Sequence, residues 1–236
     1  MKKGQLLYEG KAKRLYATED PTILFVEYKD SATAFNGEKK EEIAGKGILN
    51  NRITTLLFEK LQAKGIASHF VKRLSDHEQL VRKVDIIPIE LVVRNIVAGS
   101  LAQRLGLEEG TPLKRPIVEF YYKNDDLGDP HISAEHIDVL NLATPEEVQA
   151  LYEGGLKVNE VLRPIFKEIG VELIDFKLEF GRDQDGNVLL ADEISPDTCR
   201  LWDAKTKQKL DKDVFRRNLG SLTESYEIIL TRLGGQ

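Results

Sequence analysis

At 236 residues, 41% hydrophobic and 31% charged, the chain has the make-up of a soluble globular protein able to bury a core without staples. A single cysteine, Cys199, excludes an intrachain disulfide and sets the expectation of a reducing, cytoplasmic compartment. A net charge of −5, no apolar run near the ~20 residues of a membrane span and no secretory leader argue against broad nucleic-acid binding, a membrane protein and export.

The chain opens as a β-meander. Residues 5–9 and 14–17 flank Gly10-Lys-Ala-Lys13, and residues 22–28 follow the Asp20-Pro21 turn. A helix fits residues 48–63, where Leu49, Ile53, Leu56, Leu57 and Leu61 recur at helical spacing and Gly65 stops it. Residues 75–85 break into short charged pieces. That sets an expected division into two α+β parts, 1–85 and 86–236. Residues 86–94 are almost continuously apolar and predict a central strand ending at Arg94. A short helix over 101–107 follows, with Ser100 and Gln103 at capping-box spacing. Two readings fit this stretch: a capped helix beside a surface arginine, or an anion site. In the second, Gly99 admits a close ligand and Arg94 grips a phosphate with two parallel hydrogen bonds.

Residues 119–136 are polar and read as a functional loop. Thr144-Pro-Glu-Glu147 is a capping box with proline at the first helical position. Gly154, Gly155 and Pro164 then predict a kink or two helices, and a last helix fits 213–233. Sheet and helix are segregated along the chain, which predicts an α+β fold with mainly antiparallel sheets. The four histidines, His69, His77, His131 and His136, show no zinc spacing.

Most of the chemistry lies in residues 171–195. In Ile174-Asp-Phe-Lys-Leu-Glu-Phe180 the apolar residues alternate with Asp175, Lys177 and Glu179. One strand face is therefore hydrophobic, and the other lines up the three charges about 7 Å apart. Asp185-Gly186 reads as a two-residue hairpin turn, which places Glu179 directly opposite Asp192. A solvated charged face is one reading. The other is a magnesium pair, because two carboxylates about 5 Å apart repel by roughly 3 kcal/mol at an effective dielectric of 20.

Ile86-Ile-Pro-Ile-Glu-Leu-Val-Val-Arg-Asn-Ile-Val-Ala-Gly-Ser100 and Leu173-Ile-Asp-Phe-Lys-Leu-Glu-Phe-Gly181 closely resemble the two signature regions of the phosphoribosylaminoimidazole-succinocarboxamide synthase (SAICAR synthetase) family. Tyr8-Glu-Gly-Lys-Ala-Lys13, Lys46-Gly-Ile-Leu-Asn-Asn51 and Ser195-Pro-Asp-Thr-Cys-Arg-Leu-Trp-Asp203 resemble its nucleotide hairpin, first helix start and substrate loop, so the likeness covers nearly the whole chain. It implies a two-part, ATP-grasp-like fold: a nucleotide-covering part (1–85), a substrate- and metal-binding part (86–236), and nucleotide between them. It also implies a homodimer. The implied reaction joins carboxyaminoimidazole ribonucleotide (CAIR) to L-aspartate, using ATP and magnesium, and releases ADP and phosphate. Carried over residue by residue, Lys11 and Lys13 contact the ATP phosphates, and Glu179 and Asp192 hold nucleotide-bound magnesium. Lys177 neutralises charge at the reacting phosphoryl group. Arg94, Ser100 and Arg200 bind the CAIR phosphate, and Asp129 serves a metal near the CAIR carboxylate. Asp175 and Asp197 contact CAIR, and adenine lies near residues 82–86.

The residues agree with that chemistry. A carboxylate is a poor electrophile, and activating it with ATP requires neutralising cations rather than a protein nucleophile. Cys199 reads as a packing residue; Trp202 and the Tyr121-Tyr122 pair read as core or loop anchors. A small-molecule kinase using the same magnesium site remains an alternative. So does a nucleotide-binding regulatory module, although the full set of Lys11, Lys177, Glu179 and Asp192 speaks against it.

Overall fold

The computed structural model describes residues 1–34 and 37–235. Strands β1 (Leu6–Glu9), β2 (Lys13–Ala17) and β3 (Ile23–Tyr28) form the expected meander. A small hairpin follows, β4 (Ser31–Ala34) with β5 (Lys39–Glu42), and then helix α1 (Lys46–Ala63). Next come β6 (Phe70–Arg73) and β7 (Glu78–Arg82), which complete an antiparallel sheet of order β1-β2-β3-β7-β6. Helix α1 starts two residues earlier than its periodicity predicts. The Asp30 carboxylate accepts from the backbone N–H groups of Gly45 and Gly47 and so satisfies the helix start from outside.

From residue 85 onward a second sheet is built. Its strands are β8 (Asp85–Ile96), β9 (Pro112–Tyr122), β10 (His131–Ile132), β11 (Val171–Arg182), β12 (Val188–Ala191) and β13 (Cys199–Asp203). The order is β10-β9-β8-β11-β12, with β13 also on β11, and every pairing is antiparallel. Ile87, Ile89, Leu91 and Val93 of β8 are fully buried on one face. Helix α4 (Pro145–Glu168) packs there, and its core also takes in α1 and α6 (Leu222–Arg232). The first part of the chain therefore shares a core with the last.

Several expectations are corrected. The polar stretch 119–136 is not one loop. It includes the end of β9, β10 and the start of α3 (Ala134–Val139), which leaves a short loop with a 3-10 turn at Asp125–Leu127. Helix α2 spans Gly99–Leu105, and its N-cap is Ala98 without a side-chain bond, so the Ser100/Gln103 capping box does not form. The terminal helix is two helices, α5 (Asp213–Arg216) and α6. They part where Asn218 and Gly220 take positive φ and Ser221 caps Glu224.

Helix α4 runs unbroken through Gly154-Gly155 and Pro164, starting from the expected Thr144/Glu147 capping box. Pro164 lies on the solvent side, where water can serve the carbonyl freed by its missing N–H. Gly155 faces the sheet: a Cβ there would lie 2.4 Å from Leu91 Cδ2 and 3.1 Å from Val93 Cγ2. That glycine lets the helix approach β8 and does not break it. Gly155→Ala should therefore destabilise the protein by about 1–2 kcal/mol, although alanine is the better helix former by about 1 kcal/mol. Urea unfolding measures this, and an unchanged or raised midpoint would show that Leu91 gives way.

Candidate active site

Alternation along β11 carries Asp175, Lys177 and Glu179 to one face, as its pattern predicts. The hairpin register differs. Glu179 pairs with Ala191 and Arg182 with Val188, so the loop holds three residues between Asp183 and Asn187. Asp183 accepts from the backbone of Asp185 and Asn187, and Gly186 takes φ 81, the left-handed residue such a loop needs. A one-residue slip alone would turn Asp192 to the opposite face. Asp192 itself adopts φ 57, which ends the strand and redirects its side chain.

The two acids converge on Lys177. Its Nζ lies 2.5 Å from Glu179 Oε1, 3.3 Å from Asp192 Oδ2 and 3.2 Å from Glu90 Oε1. Glu90, on β8, is the acid directly opposite Glu179. Sequence reading missed it, although it is the only charge inside an otherwise apolar strand segment. Lys123 reaches Glu179 at 3.0 Å, and Lys13 bonds Asp192 and lies 3.0 Å from Glu193. Burial disfavours the ammonium of Lys177, yet Glu179, Asp192 and Glu90 outweigh it and hold its pKa well above the usual lysine range. Burial likewise opposes ionisation of Asp192, but Lys13 and Lys177 keep its pKa below the carboxylate range. Glu90 is raised by burial, and Glu179 adds to the effect. Lys11 stands apart on exposed Asp125, 2.7 Å away. Asp129, at φ 49, accepts from the Asn124 N–H and lies close enough to act electrostatically on Glu90.

A second cluster surrounds Asp175, two residues along the same face. Its Oδ2 accepts from Arg94 Nη1 and Arg200 Nη1, each at 2.9 Å. Arg94 is 3% exposed; its Nε donates to Glu119 at 2.6 Å, and its Nη2 to Ser100 Oγ at 3.1 Å and to the Tyr121 hydroxyl at 3.0 Å. It is therefore no surface arginine. Arg200 Nε also donates to Asp213. Gly99, at φ 54, makes room for Arg200: a Cβ there would lie 2.4 Å from Arg200 Nη2. Glu119, Tyr121 and Asp213 were not legible as members, because strand pairing and a distant loop bring them in.

Asp197 belongs to neither cluster. It is buried against Lys46 Nζ at 2.5 Å, accepts from the Tyr226 hydroxyl at 2.5 Å, and lies 3.9 Å from Lys212. Buried Cys199 has its thiol pKa raised by burial, as suits a packing residue. A cleft of about 460 Å³ opens beside the link between the two sheets, lined in part by Ile23, Val84, Asp85 and Arg182.

Two hard carboxylates whose oxygens converge on one point suit magnesium, which takes one or two carboxylates and completes its shell with phosphates and water. Among the described residues no three acids, histidines or cysteines could hold a metal by themselves. No helix among them is long and apolar enough to cross a membrane.

A family model for SAICAR synthetase matches residues 6–233. The phosphoribosylaminoimidazole-succinocarboxamide synthase of Lysinibacillus sphaericus is 79% identical over 236 residues, 100% of both chains. The solved structure of that synthase from Ehrlichia chaffeensis superposes with TM-score 0.96 at 47% identity, over 98% of this chain and 99% of its own. A SAICAR synthetase solved in complex with ADP gives TM-score 0.94 at 50% identity, over 97% of each chain.

Burial, with Lys13 adding, pushes His69 down to about 4, and its Nε2 lies 3.1 Å from the Asp192 carbonyl oxygen. The unfolded chain, with histidine near 6.5, binds more protons below that pH, so stability falls as pH drops from about 6.5 toward 4. Between pH 7 and 5 this one group should remove about 2 kcal/mol from the ligand-free protein. His69→Gln keeps a donor for the carbonyl and should flatten that part of the curve. Identical pH slopes in urea unfolding would show that His69 is charged in the folded state.

Proposed function

The chain belongs to the SAICAR synthetase family and performs the ATP-dependent ligation of CAIR with aspartate in purine biosynthesis, and we propose that the two clusters on β11 divide this work. The observation that carries the proposal is that Lys177 and Asp175 share one strand face. Lys177 there gathers three carboxylates, while Asp175 gathers two arginines. A triphosphate end and a phosphorylated substrate can thus meet side by side.

Lys13 and Lys177 take the ATP phosphates, and Lys11 closes over them from the β1–β2 turn. Glu179 and Asp192 hold nucleotide-bound magnesium, which when bound neutralises phosphate charge. Adenine lies beside residues 82–86. From Asp85 to Glu90 along β8 is about 17 Å, comparable with an extended nucleoside triphosphate. Arg200, Ser100 and the Nη2 edge of Arg94 face the CAIR phosphate. Asp175 orients both arginines and contacts CAIR, and Asp129 serves a metal near the CAIR carboxylate. Asp197 contacts CAIR from the loop 195–203.

The reaction then runs in two displacements. A CAIR carboxylate oxygen attacks the γ-phosphorus, the bond to ADP breaks, and an acyl phosphate forms. The aspartate amine attacks the acyl carbon, the C–O bond to phosphate breaks, and the amine's proton passes to the departing phosphate as the amide forms. Lys177 stabilises charge on the transferring phosphoryl oxygens. Residues 1–85 cover the nucleotide, and residues 86–236 bind substrate and metal. We further infer a cytoplasmic homodimer that binds no nucleic acid, in keeping with the net charge of −5 and the single, buried cysteine.

Product analysis with CAIR, aspartate and Mg-ATP, omitting each in turn, tests the reading: ADP should accumulate steadily only when all are present. Sustained ADP formation without aspartate would favour a kinase. Lys177→Gln should lower kcat by about 10²–10³. Arg94→Lys should raise KM for CAIR about tenfold and leave ADP affinity unchanged, because an ammonium cannot form the planar fork. Arg94→Ala is the poorer probe, since it leaves the buried Glu119 and Asp175 short of a partner, at a cost of about 3–5 kcal/mol.

A further inference from the structure

Residues 67–69, between α1 and β6, join the two sheets through backbone hydrogen bonds. Ser68 bridges Leu190 of β12 in parallel. The Leu190 N–H donates to the Ala67 carbonyl at 3.2 Å, and the His69 N–H donates to the Leu190 carbonyl at 2.8 Å. The His69 carbonyl in turn accepts from the Arg82 N–H of β7 at 2.6 Å. His69 is thus fixed to both sheets by its main chain. Its side chain is buried, with the ring tilted against Phe58 of α1 at 5.6 Å between centroids.

The His69 ring reaches two residues past that bridge. Its Nε2 lies 3.1 Å from the Asp192 carbonyl oxygen. A carbonyl only accepts, so Nε2 carries a hydrogen and donates it. This contact fixes the peptide after Asp192, while the His69 N–H fixes the peptide before Ala191. Between the two anchors Asp192 takes φ 57, a left-handed conformation that a non-glycine residue keeps only where its surroundings hold it. The ion pairs of Asp192 are not a lasting hold. On the ligase reading above, Lys13 and Lys177 turn to phosphate and the Asp192 carboxylate turns to magnesium, so those pairs are remade when ligands enter. The bond to the carbonyl is independent of them.

We propose that His69 is a positioning residue for the magnesium acid Asp192: its Nε2–H holds the left-handed backbone at the end of β12 and so aims the carboxylate at Glu179 and Lys177. This rests on the reading that Glu179 and Asp192 hold nucleotide-bound magnesium. Without the donor, the peptide after Asp192 is free to rotate toward extended backbone. Strand alternation then turns the acid to the face opposite Glu179.

Binding of Mn2+–ADP to the full-length protein, read by water-proton relaxation, tests it. His69→Leu fills the space without a donor and should weaken Mn2+–ADP binding about 3- to 10-fold, the worth of one hydrogen bond. Binding of metal-free ADP in EDTA should stay within about twofold of wild type. His69→Gln keeps a donor and should restore Mn2+–ADP binding to within about twofold. In an Asp192→Ala background, His69→Leu should cause no further loss. If the leucine variant does not fold, the wild-type protein decides: the His69 Nε2–H proton resonance should exchange slowly with water and should move when Mg2+ joins the ADP complex. Unchanged Mn2+–ADP affinity in His69→Leu, equal losses in the leucine and glutamine variants, a further loss beside Asp192→Ala, or a resonance indifferent to Mg2+ would overturn the inference. Mn2+–ADP affinity undiminished by Asp192→Ala alone would instead overturn the magnesium assignment on which it rests.

Discussion

The ammonium of Lys177 is the interaction on which the site depends. Glu179 and Glu90 are direct cross-strand partners, and Asp192 turns toward them from the end of β12. Carboxylates about 5 Å apart repel by roughly 3 kcal/mol each at an effective dielectric of 20. Lys177 touches all three, and Lys13 and Lys123 grip the cluster from two other elements. Three ammoniums thus face four carboxylates once Glu193 is included, which leaves an acidic surplus for a cation to neutralise.

The second cluster solves a different problem. A buried guanidinium is costly unless each donor is used. Arg94 meets that demand with Glu119, Asp175, Ser100 and Tyr121, and Asp175 is shared with Arg200. The result is a pair of arginines held by their own hydrogen bonds. Both clusters sit on β11, and β11 is flanked by β8, β12 and β13. Strand pairing therefore sets the spacing between the two charged clusters.

Packing serves the same end. Gly155 draws α4 onto Leu91 and Val93, on the face of β8 opposite Glu90 and Arg94. Helix α1, from the first part of the chain, packs on α4 and α6, while its Lys46 reaches Asp197. The element that ties the two ends of the chain together thus also supplies a charge to the loop 195–203.

Local patterns alone determined much of this. Alternation in residues 174–180 placed Asp175, Lys177 and Glu179 on one face, since side-chain period depends only on strand geometry. The apolar run before Arg94 marked the central strand, and Thr144 with Glu147 marked a helix start. The motifs that resemble SAICAR synthetase pointed to the family. Tertiary structure decided the rest, because it concerns residues far apart in the chain. Glu90 joins Glu179 only through the β8–β11 register, and Glu119 joins Arg94 through β9. The Asp185-Gly186 turn misled by one residue, because Asp183 caps a three-residue loop, and only the left-handed backbone at Asp192 brings that acid back to the site. Gly99, Gly154 and Gly155 look alike in sequence as flexible points. In the fold Gly99 clears space for Arg200, and the helical pair lies against Phe180 and Leu91. Sequence records local conformational preference, while contact between distant side chains is settled only when the sheets pair and the helices pack.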